Sequence, residues 1–214
     1  MLNLTQGRFL VSLARRAIAW ALERGEPLQP PKDVDPELLR PAGVFVTLHS
    51  HELGEPVLRG CIGLPTPIKP LVEATIDAAF SAAFRDPRFE PVSKEELPTI
   101  TVEVSVLTDR KKVISAHPSQ IPHQIVIGRD GLYVEGTFER GLLLPQVAPA
   151  HGFSAEEFLD QVCLKAGLPR DAWRKGQATI YTFQAQIFAE KEPGGEVVEL
   201  TWRPGEPGGG KTGK

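Results

Sequence analysis

One stretch of this chain alternates so regularly that it constrains the class of fold. In "TITVEVSVLT", residues 99–108, every second side chain is apolar: Ile100, Val102, Val104 and Val106. Successive side chains of a strand point to opposite faces, so the pattern predicts a strand with one apolar face. Such a face must be buried against another layer of secondary structure.

Helical patterns supply that second layer. Apolar residues at helical spacing predict a helix from about Thr5 to Glu23, which ends before Gly25. An alanine-rich helix is predicted over roughly 68–84, and a third in "SAEEFLDQVCLKAG", which begins with a capping-box pair and ends at Gly167. We therefore expect an α+β fold, with a mostly antiparallel sheet and flanking helices.

The order hairpin, helix, strand occurs twice along the chain. "GVFVTLHS" and "VLRGCIG" form the first predicted hairpin; "HQIVIG" and "GLYVEG", around "GRDG", form the second. "GLLLP" is a further short strand, and "ATIYTFQAQIFAE" is a single final strand. We predict an internal duplication, with repeats over about 42–107 and 122–189.

These repeats predict one domain over residues 1–192, made of two interleaved subdomains. Residues 193–214 form a separate C-terminal segment, whose glycine- and proline-rich end predicts a disordered tail.

Composition excludes several functional classes. The chain has 24 basic and 27 acidic residues and a net charge of −3, which argues against nucleic-acid binding. It contains no apolar run of the roughly 20 residues that span a bilayer, so we expect no membrane segment. Its two cysteines, Cys61 and Cys163, are too few for a disulfide scaffold, and a reduced cytoplasmic protein is expected.

The hexapeptide "LRGCIG", residues 58–63, is a candidate site. Arg59 lies two residues before Cys61, so both side chains share one face of a strand. Gly60 and Gly63 leave space for another backbone or a ligand. A cation and a nearby helix start predict either a lowered thiol pKa or an anion site. The alternative is a structural cysteine, because cysteine is among the most buried residue types.

A nucleophilic thiol also needs a base, and His49 on the partner strand is a candidate. If Thr47 lies opposite Cys61, then His49 lies opposite Arg59 and the four side chains share a face. If Val46 lies opposite Cys61, His49 points away. The turn between the strands is too long to decide between these registers.

Two further clusters accompany the hexapeptide. Arg85, Asp86 and Arg88 follow a helix end, where a cation also suits the helix dipole. Two arginines around one aspartate predict an ion pair. Glu103 and Ser105 lie on the polar face of the alternating strand; if that face is buried, the carboxylate needs a partner.

The motifs "FVTLH", "LRGCIG", "AAFRDPRF", "VEVSVL", "GLLLPQVA" and "KAGLPRDAW", in this order, resemble the AMMECR family over about residues 5–190. The resemblance implies an α+β fold with two subdomains and a cleft near the hexapeptide. It also implies a cytoplasmic component of the AmmeMemoRadiSam system, encoded beside a Memo-type protein and a radical SAM enzyme. The family brings no settled reaction.

The resemblance groups nine residues into one candidate site. They are Cys61 and Glu103 as catalytic groups, with Thr47, Arg59, Arg85, Asp86, Arg88, Ser105 and Gln146 as binding groups.

Two functions of different classes follow. In the first, an enzyme uses Cys61 as nucleophile or redox thiol on a small anionic substrate held by Arg59 and Arg88, while Glu103 or Asp86 moves protons. No phosphate loop, dinucleotide fingerprint or metal-ligand cluster is present, so no cofactor and no metal are implied. In the second, the chain is a non-catalytic module that docks to a radical SAM or Memo-type enzyme.

Overall fold

A computed structural model describes residues 1–52 and 54–200. The described chain divides into two compact units: residues 1–107 together with 186–200, and residues 108–185. Each unit contains helices and one antiparallel sheet. The expected α+β fold is confirmed.

The elements of the described chain are numbered in chain order. The strands are β1 (Val44–Ser50), β2 (Val57–Leu64), β3 (Ile100–Leu107), β4 (Lys111–Lys112), β5 (Gly131–Glu135), β6 (Arg140–Leu143), β7 (Thr179–Phe183), β8 (Ala185–Glu190) and β9 (Val197–Leu200). The helices are α1 (Leu4–Arg24), α2 (Leu71–Phe84), α3 (Val147–His151) and α4 (Ala155–Lys165).

The first unit packs two helices on one face of a five-stranded sheet, ordered β2-β1-β3-β8-β9. The apolar positions of β1 and β3, such as Val46 and Val104, are fully buried in one cluster with α1 and α2. The side chains between them, including Thr47 and Glu103, therefore point to the opposite face. As predicted, α1 ends at a left-handed Gly25, with φ of 74°.

The second unit has a four-stranded sheet, ordered β4-β7-β5-β6, with α4 buried against it. Ser154 and Glu157 make the predicted capping box of α4. In both units the first strand of the hairpin lies between two other strands. One is its hairpin partner and the other is a later strand, which gives the orders β2-β1-β3 and β6-β5-β7. The hairpin–helix–strand unit thus occurs twice.

The predicted second hairpin was wrong in its position. "HQIVIG" is not a strand, because Asp130 folds this segment into a turn by accepting the Val126 N–H at 2.9 Å and donating its own N–H to the Val126 carbonyl. The hairpin is formed instead by β5 and β6.

The predicted final strand was wrong in being single. Its alternation continues through Gln184, but β7 and β8 belong to different sheets. The Gln184 N–H donates to the Thr108 hydroxyl at 2.8 Å instead of to a strand. Strand β9 lies in the segment that sequence analysis set apart from the domain. The predicted disordered tail lies outside the described residues.

Close packing of β2 on α2 depends on Gly60. A Cβ atom at this position would lie 2.2 Å from the carbonyl oxygen of Ala82 in α2, and this oxygen belongs to the backbone and cannot move aside. The helix therefore reaches the strand only because residue 60 lacks a side chain.

We expect Gly60→Ala to lower the free energy of unfolding by about 2–3 kcal/mol, because strand and helix must separate. Urea unfolding measures the change. Val57→Ala, at an exposed position of the same strand, is the control and should cost no more than about 1 kcal/mol. Equal costs for the two variants would contradict this packing argument.

Candidate functional site

Three strands place Cys61, Thr47 and Glu103 in one row across the first sheet. Thr47 is paired with Cys61 on β2 and with Glu103 on β3. The Thr47 hydroxyl donates to the Cys61 Sγ at 3.4 Å, and the Ser105 hydroxyl donates to Glu103 Oε1 at 3.4 Å. Of the two registers considered, the one that joins Thr47 to Cys61 is correct.

His49 does not take the position that this register implies. A bulge between Leu48 and His49 places His49 opposite Leu58, so the expectation that it lies opposite Arg59 was wrong. An extra residue in one strand shifts every later pair. Burial and the neighbouring His51 lower the pKa of His49, which keeps its ring neutral.

The same bulge leaves Arg59 without a cross-strand partner, and its guanidinium binds Glu96 instead. Nε and Nη2 donate to the two carboxylate oxygens at 2.7 and 3.1 Å. The Phe89 ring centroid lies 5.8 Å from the guanidinium carbon. The third nitrogen, Nη1, is buried and has no hydrogen-bond partner in the described part of the chain.

Sequence reasoning missed Glu96. The cation at Arg59 predicted an anion site, but its partner is a carboxylate of the chain itself, and Glu96 lies 37 residues further along the chain. No local motif links the two residues.

Asp86 and Arg88 hold the main chain of Cys61. Because β2 is an edge strand, the outward N–H and C=O of Cys61 have no neighbouring strand. Asp86 Oδ2 accepts that N–H at 2.9 Å, and Arg88 Nη2 donates to that carbonyl at 3.3 Å. Arg88 also donates to both Asp86 oxygens, at 2.9 and 2.6 Å, so the predicted ion pair is confirmed.

Arg85 and Gln146 make none of these contacts to Cys61. Arg85 is exposed, and its guanidinium carbon lies 5.0 Å from the Phe80 ring centroid. Gln146 belongs to the second unit, where it precedes α3; its Oε1 is buried and has no hydrogen-bond partner among the described residues. The place of both residues in the site stays a prediction, as does the cleft that the resemblance implies.

The second glycine of the hexapeptide also has a packing role. A Cβ atom on Gly63 would lie 2.3 Å from the ring of Phe45, its cross-strand partner. Together with Gly60, it allows protein groups to approach β2. These two glycines are therefore explained without a ligand.

The electrostatics differ from the expected lowered thiol pKa. Burial raises the pKa of Cys61, the hydrogen bond from Thr47 lowers it in part, and the charge of Glu103 raises it further. Burial also raises the pKa of Glu103, to about 7, against a smaller lowering by Ser105. The row thus combines a neutral thiol with a carboxyl group that titrates near neutral pH.

In residues 1–52 and 54–200, no three or more His, Cys, Asp or Glu side chains are grouped so that they could hold a metal ion. Within the same ranges, none of the helices has the length and apolar character needed to cross a membrane.

Comparison with known proteins gives a consistent assignment. The AMMECR1 family model matches residues 11–188. A protein from Thermofilum pendens is 51% identical over 92% of this chain and 96% of its own length, and one from Pyrococcus furiosus is 53% identical over 89% and 91%. The crystal structure of an uncharacterised Pyrococcus horikoshii protein matches with a TM-score of 0.86, at 50% identity over 92% of this chain and 98% of that one.

Replacing Asp86 tests its role at the strand edge. Its hydrogen bonds from Arg88 lower the pKa of Asp86 from 3.8 to about 2, so its stabilisation is fully present above about pH 4 and is lost as the pH falls towards 2. We expect Asp86→Asn to lose about 2 kcal/mol of unfolding free energy near pH 6, and the difference from the unmodified protein to shrink towards pH 2.

Urea unfolding as a function of pH measures this difference. Asp33→Asn, at an exposed position, is the matched control and should change stability by less than about 0.5 kcal/mol. A loss for Asp86→Asn that is independent of pH would show that the carboxylate charge does not stabilise the strand.

Proposed function

This chain belongs to the AMMECR1 family, and we propose that it is a thiol-dependent enzyme in which Cys61 is the nucleophile and Glu103 the general base. The reaction class is acyl or thiol transfer, with a small anionic molecule as the substrate. The observation that carries the proposal is the pKa of Glu103, about 7, in the same cross-strand row as the thiol.

A carboxyl group with this pKa suits proton transfer at neutral pH. An ordinary glutamate is too weak a base to remove a thiol proton efficiently, and burial strengthens Glu103 as a base by disfavouring its charged form. Because the pKa of Cys61 is raised, the resting thiol is protonated and needs such a base.

The acyl-transfer step balances with these two groups. Sγ of Cys61 forms a bond to the carbonyl carbon of the substrate, and its proton passes to the Glu103 carboxylate through the Thr47 hydroxyl, which lies between the two groups in the row. The bond to the leaving group breaks, and that group departs with its electron pair. The leaving group takes the proton that Glu103 holds. Water then hydrolyses the thioester: its oxygen bonds to the carbonyl carbon, one of its protons returns to Sγ, and both groups are restored.

Arg59 supports binding of an anionic or carbonyl oxygen. Its Nη1 is buried, and a buried charged donor without an acceptor costs free energy that a ligand oxygen recovers. The positive charges of Arg59 and Arg88 are already balanced by Glu96 and Asp86. Substrate recognition therefore relies on this one nitrogen rather than on a broad positive field.

The second candidate is a non-catalytic binding module that docks to a radical SAM or Memo-type enzyme in the AmmeMemoRadiSam system. The raised pKa of Cys61 favours it, because a protonated thiol is a poor nucleophile. A cytoplasmic location is part of both candidates, and it is supported by the two cysteines, which are both free.

Two reagents separate the candidates in the Glu103→Gln variant. Iodoacetamide reacts with the thiolate alone, so removing the carboxylate charge should lower the pH midpoint of Cys61 alkylation. p-Nitrophenyl acetate should instead acetylate Cys61 at least about tenfold more slowly at neutral pH, because its attack needs the base. Peptide mapping by mass spectrometry measures both rates.

The unmodified protein should acetylate Cys61 faster as Glu103 loses its proton through about pH 7. Cys163 is fully buried and serves as the internal unreactive thiol, while Glu23→Gln, at an exposed position, is the control variant. If Glu103→Gln speeds both reactions, Glu103 acts only through its charge. The enzyme proposal then fails and the binding module replaces it.

A further inference from the structure

A groove lies beside the free edge of β2, on the α2 side of the sheet. It has a volume of about 350 Å³ and is lined by the outer parts of Ile62 and Leu64 on β2, by Phe80 on α2, and by Arg85. The side chains of Ile62 and Leu64 pack partly against the core of the first unit. The groove thus has an apolar floor and a cation among its lining residues.

The strand edge at this groove has free hydrogen-bonding groups. The N–H and C=O of Cys61 point away from β1, since they bind Asp86 and Arg88. Orientation alternates along an antiparallel strand, so the N–H of Ile62 points to β1 and both groups of Gly63 point outward. Gly63 makes no hydrogen bond outside the ladder with the described part of the chain.

Arg85 supplies a charge that the described residues do not balance. It forms no ion pair within them, whereas Arg59 and Arg88 each bind a carboxylate. Its guanidinium lies over the Phe80 ring, which orients the cation beside the groove. Asp77, which also lines the groove, is paired with Lys69.

We propose that this groove binds the C-terminal end of an extended peptide from a partner protein. The penultimate residue pairs with the free N–H and C=O of Gly63 and extends the sheet by one short strand. An apolar side chain packs on Phe80 and Ile62, and the terminal carboxylate binds Arg85. The peptide is short because Asp86 and Arg88 already occupy the edge at Cys61.

Charge complementarity and strand geometry together select this ligand. A free carboxylate complements the positive charge of Arg85, which forms no ion pair among the described residues. Only an extended backbone presents an N–H and a C=O at the spacing that the edge of a strand requires. A small carboxylic acid without a peptide bond would use Arg85 alone.

NMR titration of the full chain with the tripeptide acetyl-Thr-Val-Leu tests the proposal. With a free carboxylate, the peptide should shift the backbone amide signal of Gly63 and slow its hydrogen exchange, because that N–H becomes bonded. The same peptide with an amidated C-terminus should bind at least about tenfold more weakly, since it lacks the charge for Arg85.

Arg85→Gln should weaken binding of the carboxylate peptide by at least about tenfold and leave the amidated peptide unchanged. Arg16→Gln, at an exposed position of α1, is the matched control and should have no effect.

The proposal fails if neither peptide binds at millimolar concentration, if both bind equally, or if the shifts exclude Gly63. It also fails if acetyl-leucine dimethylamide and sodium acetate together reproduce the response, because a peptide strand is then not required. None of these outcomes depends on Cys61 or Glu103.

Discussion

The pairing of β1 with a strand on each side determines which side chains of the first sheet lie next to one another. Because β1 is joined to β2 and β3 in fixed antiparallel registers, each of its residues selects one neighbour on either side. Val46 and its cross-strand partner Val104 are buried in the core with the helices. Thr47 brings Cys61 and Glu103 into one row on the opposite face, although the two are 42 positions apart in the sequence. A shift of one residue in the register of β1 with either strand would move Cys61 and Glu103 to opposite faces of the sheet.

Most of the hexapeptide around Cys61 serves to hold this strand in place. The absence of a side chain lets α2 pack against Gly60 and the Phe45 ring pack against Gly63, while Arg59 binds Glu96. Asp86 and Arg88 act on the main chain of Cys61 rather than on its thiol. The chemistry that we propose therefore depends on few atoms: the thiol, the carboxyl group of Glu103 and Nη1 of Arg59, which has no hydrogen-bond partner among the described residues.

Local patterns in the sequence predicted the parts of the fold that are determined locally. The alternation in β3, the glycine after α1 and the capping box of α4 were each correct, because they depend on neighbours within one turn or one strand. The site was predicted in part. The ion pair of Asp86 with Arg88 was predicted because the two residues lie close together in the sequence. Cys61 and Glu103 were placed in one site only through the family resemblance.

The remaining features depend on contacts between distant residues. The bulge that displaces His49 arises where β2 meets β1, and Glu96 reaches Arg59 from a separate segment. A turn formed by two hydrogen bonds between Asp130 and Val126 takes the place of a predicted strand. The raised pKa of Cys61 was also missed, because the sequence shows a nearby arginine but shows neither burial nor the cross-strand carboxylate.

Titration of the Glu103 carboxyl carbon by NMR tests the proposed base most directly, because the proposal requires this group to have a pKa near neutral pH. We expect a midpoint of about 7 in the folded protein. A midpoint near the ordinary value of 4.5 would show that Glu103 is ionised and solvated at neutral pH, which would contradict its role as the general base.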